Sequence, residues 1–259
     1  MILVPTPKER ELIDPLVQHF EADLRGKRLI STFLNSLLTY IKESQDLQKA
    51  IHSIRSRVKE PDHLADKLLR KLRKCEKEGI EFPMTTSNLF TEITDLAGIR
   101  ILHLHTRQIT EIDRHLKAII QEQPVSLIEG PRARTWDDEN RAFFRSVNID
   151  TQDSETMYTS VHYVLASSSS TTVTCEIQVR TLMEEVWGEV DHAINYPHRN
   201  ESVACREQIR ALARATSTAT RLVDAIFATV ADLESKKAAV AKPAEQSPSR
   251  KGKAKRNDR

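Results

Sequence analysis

The sequence predicts a mixed α/β fold: a small twisted sheet flanked by helices, with helical extensions at both ends. Three observations predict it. Apolar residues recur at helical spacing toward both ends of the chain, over residues 9 to 46 and 203 to 233. The segments "YTSVHYVLAS" (158–167) and "TVTCEIQVR" (172–180) flank a Ser/Thr-rich turn and read as two antiparallel strands. Between the ends, strand-like and helix-like segments alternate, as in a sheet covered by helices.

Each element follows from its residues. Leu12, Leu16, Phe20 and Leu24, then Leu29, Phe33, Leu37 and Ile41, predict helix over 9–46. "RGK" (25–27) is expected to break it, and Asp14-Pro15 offers the N-cap and first position of a restart. "IHSIRSRVK" (51–59) reads as a short strand, and Pro61 opens a helix with Leu64, Leu68 and Leu72 on one stripe, ending near Gly79. "LAGIRILHLH" (96–105) reads as a central strand, and Ile109, Ile112, Leu116 and Ile119 mark a helix crossing back over the sheet. Residues 124–157 read as irregular, with "EGPRARTWDDENR" (129–141) the least ordered part. Thr181 and Glu184 form a capping box for a helix whose expected core face is Met183, Val186, Trp187, Val190 and Ile194. The organisation expected is a helical extension (1–46), a central domain (47–200), a C-terminal helix (201–235) and a disordered basic tail (236–259).

Composition narrows the function classes. No apolar run is long enough to cross a bilayer, and "MILVPTPKEREL" is not a signal peptide. Cys75, Cys175 and Cys205 are far apart and lack metal-binding spacing, which points to reduced thiols in a cytoplasmic protein. The formal net charge of +2 hides an asymmetry: residues 236–259 hold 9 Lys/Arg and 2 acids. That tail has no Leu, Ile or aromatic residue, so it is expected to be disordered and solvated, with RNA or the ribosome as electrostatic contacts. The terminal helices offer surfaces for a homo-oligomer.

Five pieces carry chemistry. In "RVKEPDHLADK", Arg57, Lys59 and Lys67 surround a strand-to-helix turn, where cations can grip a polyphosphate or simply be solvated. In "TDLAGIR", Asp95 precedes a buried strand, with Gly98 and Arg100 behind it; such a carboxylate can cap a turn or ligate Mg²⁺. In "YTSVHY", Tyr158, Ser160 and His162 share one strand face and can stack on a base and bond a phosphate or ribose. In "CEIQVR", Glu176, Gln178 and Arg180 share the polar face of a strand whose other face is apolar. His192 lies on the following helix.

In this order, the pieces resemble the synthetase domain of RelA/SpoT-type alarmone synthetases, which share a fold with polymerase β-like nucleotidyltransferases. The resemblance runs from about Ile51 to Tyr196, and "DLAGIR", "YTSVHY" and "EIQVRTLMEEVWGEVDH" carry it. It implies transfer of the β,γ-pyrophosphate of ATP to the ribose 3′-hydroxyl of GDP or GTP. Arg57 and Arg100 would then sandwich the adenine, and Lys59 and Lys67 would hold the phosphates. Asp95 and Glu176 would hold Mg²⁺, and Glu176 would draw the proton from the 3′-hydroxyl. Tyr158 would stack on the acceptor base, with His162, Gln178, Arg180 and His192 lining the acceptor side.

One departure bears on the acceptor. Before the Tyr the family has a Lys, a Pro, an Asn and a Gly, whereas this chain has "SETMY" (154–158). His63 also stands where the family commonly has a Ser. An acceptor other than a guanine nucleotide, such as an adenine nucleotide or a tRNA 3′ end, is therefore an alternative. A non-catalytic nucleotide-binding regulator is another, and retention of both Asp95 and Glu176 argues against it. No His-Asp pair occurs, so the metal-dependent hydrolase domain of the long bifunctional members is not expected, and a small single-domain synthetase is.

Overall fold

Six strands form one sheet: β1 (Ser53–Val58), β2 (Ala97–His103), β3 (Val125–Thr135), β4 (Asp150–Asp153), β5 (Ser160–Ser167) and β6 (Thr174–Thr181). Their order is β1-β2-β6-β5-β3-β4. The β2–β6 and β3–β4 pairs are parallel and the others antiparallel. This is a computed structural model, and it describes residues 5–154, 156–169, 171–195 and 200–241. The expected mixed sheet with flanking helices is what it shows.

The sheet has an apolar and a polar face because its strands alternate. Ile99, Ile101, Val161, Tyr163, Leu165, Cys175, Ile177 and Val179 are all nearly inaccessible to solvent. Helices α2 (Leu24–Glu43) and α6 (Gln108–Glu122) contact the strands. Their buried residues, among them Ile30, Leu37, Ile112 and Leu116, join the same core as the strand residues. Helices α1 (Pro7–Ala22), α3 (Gln45–Ala50) and α4 (Pro61–Glu78) extend that core through Phe20, Leu47, Leu64 and Leu68. Each such side chain contributes roughly 2 kcal/mol by leaving water. Glu9 joins α1 to α4: it accepts from Arg73 Nε at 2.6 Å while closing a capping box with Thr6.

Several expectations are corrected. The N-terminal helix breaks at Asp23, not at "RGK", and Gly26 lies in the first turn of α2. Its role is close approach: a Cβ there would sit 2.5 Å from the Phe90 ring. Pro15 does not restart a helix but lies inside α1. Its exposed position lets water satisfy the backbone carbonyl it leaves unpaired. Leu12 and Leu24 are exposed, and Ile13 and Ile30 take core places.

Most of 124–157, the stretch 125–153, is not irregular. It forms β3, α7 (Asp138–Ser146) and β4. The polar sequence hid an eleven-residue strand because its pairing with β5 shifts register between Leu127 and Glu129 and again between Glu129 and Arg132. Each shift breaks the two-residue alternation that marks a strand.

In α8 (Leu182–Asn195) the capping box is present, but Val186, Val190 and Ile194 are exposed, and the buried residues are Glu185 and Trp187. Trp187 instead packs with Ile209 and Ala213 of α9 (Val203–Ala241) and donates to the Ile209 carbonyl at 3.1 Å. Helix α9 runs beyond the expected end at 233. The stretch from Ala225 onward is a separate unit in which Ile226, Phe227, Val230 and Leu233 are exposed. Residues 242–259, most of the expected disordered tail, lie outside the described residues.

Gly130 offers a test of the β3–β5 register. It has φ +98°, and a Cβ there would lie 2.3 Å from the His162 carbonyl oxygen. Gly130→Ala is expected to cost about 3 kcal/mol of stability, measured by denaturant unfolding.

Candidate active site

The polar face of the sheet is built in cross-strand rows. One row runs Arg57, Gly98, Glu176 across β1, β2 and β6. The next runs Arg55, Arg100, Gln178, His162 across β1, β2, β6 and β5. Directly paired residues point to one face, so these side chains converge by register alone. They floor a cavity of about 1100 Å³, walled by α4 and α8. Of the residues singled out in the sequence, Arg57, Lys67, Asp95, Arg100, Tyr158, His162, Glu176, Gln178, Arg180 and His192 line it. Lys59 is buried and reaches the same place through Asp95.

Asp95 sits two residues before β2 and pairs with Lys59 Nζ at 3.0 Å and Lys67 Nζ at 2.7 Å. Burial alone would raise its pKa, but the two lysines outweigh that and hold it below the ordinary value. Glu176 accepts from Gln178 Nε2 at 2.8 Å and bonds His162 Nδ1 at 2.9 Å. Burial again opposes ionisation, yet the His162 and Gln178 contacts bring its pKa to about 2. Both carboxylates are therefore anionic at neutral pH. His162 Nε2 is buried with no hydrogen-bond partner among the described residues, a polar atom that a ligand or water would satisfy.

Arg180 is buried, pairs with Glu185 and lies over the Tyr158 ring at 5.7 Å. Tyr158 also packs 6.4 Å from Trp187, and its hydroxyl reaches Gln178 at 3.4 Å. The Met157 of "SETMY" packs in the Trp187 cluster, and Thr156 lines the cavity. His192 packs edge-on to His63 at 6.2 Å. Its pKa is lowered, first by burial and then by Arg57.

Several cavity residues were missed in the sequence. Arg70, Lys71 and Lys74 follow Lys67 at i+3, i+4 and i+7, which puts them on one helix face, a readable signal. Arg55 shares the strand face of Arg57, equally readable from alternation. Glu185 and Glu189, i and i+4 on α8, hold Arg100 at 2.8 and 2.6 Å. Arg134 lies on β3 opposite Ser160, is exposed, and has no acid partner among the described residues. No signal pointed to it, since β3 itself was not legible.

The donor set suits a hard divalent cation. Asp95 and Glu176 supply carboxylate oxygens, the ligand type that Mg²⁺ takes together with substrate phosphates and water. Among the described residues no group of three or more His, Cys, Asp or Glu could cage a metal alone. A metal here would need the substrate's oxygens to complete its shell.

The family model described as "Region found in RelA / SpoT proteins" matches residues 56–201. The chain belongs to this RelA/SpoT family. The matched region contains all eleven site residues expected from the sequence. A search of curated proteins finds no match. Among solved structures, the chain is similar to the small alarmone synthetase 1 from Bacillus subtilis, with TM-score 0.58 and 19% identity over 81% of this chain and 100% of that one. The same Bacillus subtilis protein bound to its product pppGpp gives TM-score 0.56 and 20% identity, covering 82% and 98%. Bound to AMPCPP it gives TM-score 0.52 and 16% identity, covering 81% and 95%. These likenesses show that the RelA/SpoT region here has the fold of a small alarmone synthetase. Among the described residues no helix is long and apolar enough to cross a membrane.

The low pKa of Glu176 has a consequence for stability. Its folded value of about 2 lies below the ordinary 4.5, so its contribution is present above pH 4.5 and is lost as pH falls through about 2. The stability difference between wild type and Glu176→Gln is expected to shrink by up to about 3 kcal/mol over that range, read by unfolding at stepped pH.

Proposed function

We propose that this protein is a pyrophosphokinase that transfers the β,γ-pyrophosphate of ATP to the ribose 3′-hydroxyl of GDP or GTP, releasing AMP. One observation carries the reading. Two anionic carboxylates, Asp95 and Glu176, lie at or just before adjacent parallel strands in a cavity lined by nine Lys/Arg and five acids. Transfer of a phosphoryl-type group needs positioning and charge neutralisation more than a covalent nucleophile. The fold supports the same reading, since its Bacillus subtilis relative has been seen with AMPCPP and with pppGpp.

In this reading, Arg57 and Arg100 flank the adenine, and Lys59 and Lys67 hold the donor phosphates. Asp95 and Glu176 would hold Mg²⁺, which when bound neutralises charge on the donor phosphate oxygens. Glu176 receives the 3′-hydroxyl proton on a carboxylate oxygen. With a pKa of about 2 it is a weak base, so the proton moves late, once bonding to phosphorus has acidified it. Tyr158 offers its ring to the acceptor base, and its contacts with Trp187 and Arg180 fix that ring in place. His162, Gln178, Arg180 and His192 line the acceptor side.

A second acceptor class is favoured by one observation. Ser154 and Thr156 stand where the family has its Lys and Asn, 3.3 Å apart at their hydroxyls, and supply neither the charge nor the amide, while Met157 in the place of the Gly packs in the Trp187 cluster. An adenine nucleotide or a tRNA 3′ end is the alternative acceptor.

The test offers γ-³²P-ATP and Mg²⁺ with GDP, GTP, ADP and bulk tRNA in parallel. Label on a guanine nucleotide is expected; label confined to ADP or tRNA would move the assignment to the second class. Asp95→Asn and Glu176→Gln should each lower transfer by about a thousandfold or more with the fold intact. Turnover within a few fold of wild type would remove the two-carboxylate assignment.

Tyr158→Ala should raise the acceptor KM about tenfold, with ATP-analogue binding changed less than about twofold. Equal losses on both sides would mean the ring does not serve the acceptor.

A further inference from the structure

One buried acid has no part in the transfer described above. Glu185, on the first turns of α8, is 5% exposed and gathers three arginines from three strands. Its Oε1 accepts from Arg100 Nη1 at 2.8 Å and from Arg55 Nη1 at 3.4 Å. Its Oε2 pairs with Arg180 Nη2. The three arginines are not equally dependent on it. Arg100 has a second acid in Glu189, whose side chain is 52% exposed, and Arg55 is largely in solvent. Arg180 is 4% exposed, and Glu185 is the one acid it pairs with directly among the described residues.

The surroundings of Arg180 are shaped to this pairing. Gly188, one turn along α8, leaves the space its guanidinium fills: a Cβ there would lie 2.6 Å from Nη1. The guanidinium in turn lies over the Tyr158 ring. A contiguous chain of contacts therefore runs from Arg100 through Glu185 and Arg180 to Tyr158.

We propose that Glu185 is a positioning residue that sets Arg100 and Arg180 as a pair and so tunes the donor and acceptor sides of the cavity together. The assignment of sides rests on the functional reading above. The physical reason is the asymmetry of buried charge. A carboxylate shared by two guanidiniums constrains both, and its neutralisation leaves Arg180 without an ion pair and Arg100 with Glu189 alone. Gln has the same shape but no charge, so Glu185→Gln removes the ionic clamp and keeps the packing. Glu189 pairs directly with Arg100 and acts on Arg180 only at longer range, so Glu189→Gln weighs mainly on the Arg100 side.

The experiment is calorimetric titration of the full chain with a non-hydrolysable ATP analogue and, separately, with GDP or ADP, whichever the wild type binds. Thermal unfolding establishes that each variant is folded. Glu185→Gln is expected to weaken both ligands about tenfold, and Glu189→Gln to weaken the ATP analogue more than the acceptor. Folded Glu185→Gln that binds both ligands as wild type does, or that loses only one, overturns the proposal. If Glu185→Gln does not fold, Gly188→Ala displaces Arg180 with Glu185 left in place. The pairing then predicts weaker binding of the ATP analogue as well as the acceptor, and an acceptor-only loss overturns it. Wild-type protein that binds neither ligand overturns the functional reading and this inference with it. Wild type binding both, with Glu185→Gln unchanged, overturns the inference alone.

Discussion

Cations crowd one face of a small sheet, and two carboxylates, Asp95 and Glu185, hold five of them there. Asp95 holds Lys59 and Lys67, Glu185 holds Arg55, Arg100 and Arg180, and Glu176 is bonded by His162 and Gln178. Without these anions, like charges a few ångströms apart in a partly dry cavity would repel strongly. With them, each buried charge has a partner, the condition for burying it at all. The apolar face below is an ordinary core, and its helices fix the strands whose register delivers the charged rows.

The same pairings explain how the cavity can receive a polyanion. The lysines on Asp95 already sit together, so a polyanion entering the cavity would meet a formed cluster, with little ordering left to oppose binding. Arg57 and Arg134 have no acid partner among the described residues, one toward each side of the sheet's polar face. They add positive potential where the paired cations are partly neutralised. Tyr158 packs against Trp187 and under the Arg180 guanidinium, and Trp187 is anchored through Ile209 of α9. The C-terminal helix therefore supports the Tyr158 side of the cavity through Trp187's anchor at Ile209.

Much of this was legible in the sequence. Strict alternation in "CEIQVR" announced a polar strand face, and the strand built as β6 has that face in the cavity. The stripe of Leu64, Leu68 and Leu72 announced α4 and its buried side. What stayed hidden was the region whose pattern is interrupted. Two register shifts in β3 erased its alternation, and with it the place of Arg134. Helix α8 misled for a different reason. Its expected core face was wholly apolar, yet of that face only Trp187 is buried, and the other buried residue is Glu185. A charged residue goes inside when tertiary neighbours supply its counter-charges, and a helical wheel contains no information about neighbours.

By itself, the sequence determined the fold class, most element positions, and which residue types share a strand or helix face, because those follow from periods of 2 and 3.6 along the chain. It also carried the motifs by which the RelA/SpoT family is recognised. Only the tertiary structure decided which faces meet. The register of β1, β2, β6 and β5 put Arg57 beside Gly98 and Glu176, and Arg100 beside Gln178 and His162. The packing of α8 against the sheet made Glu185 the shared partner of three arginines. Register and docking arise from contacts between segments far apart in sequence, so no local pattern of residues encodes them.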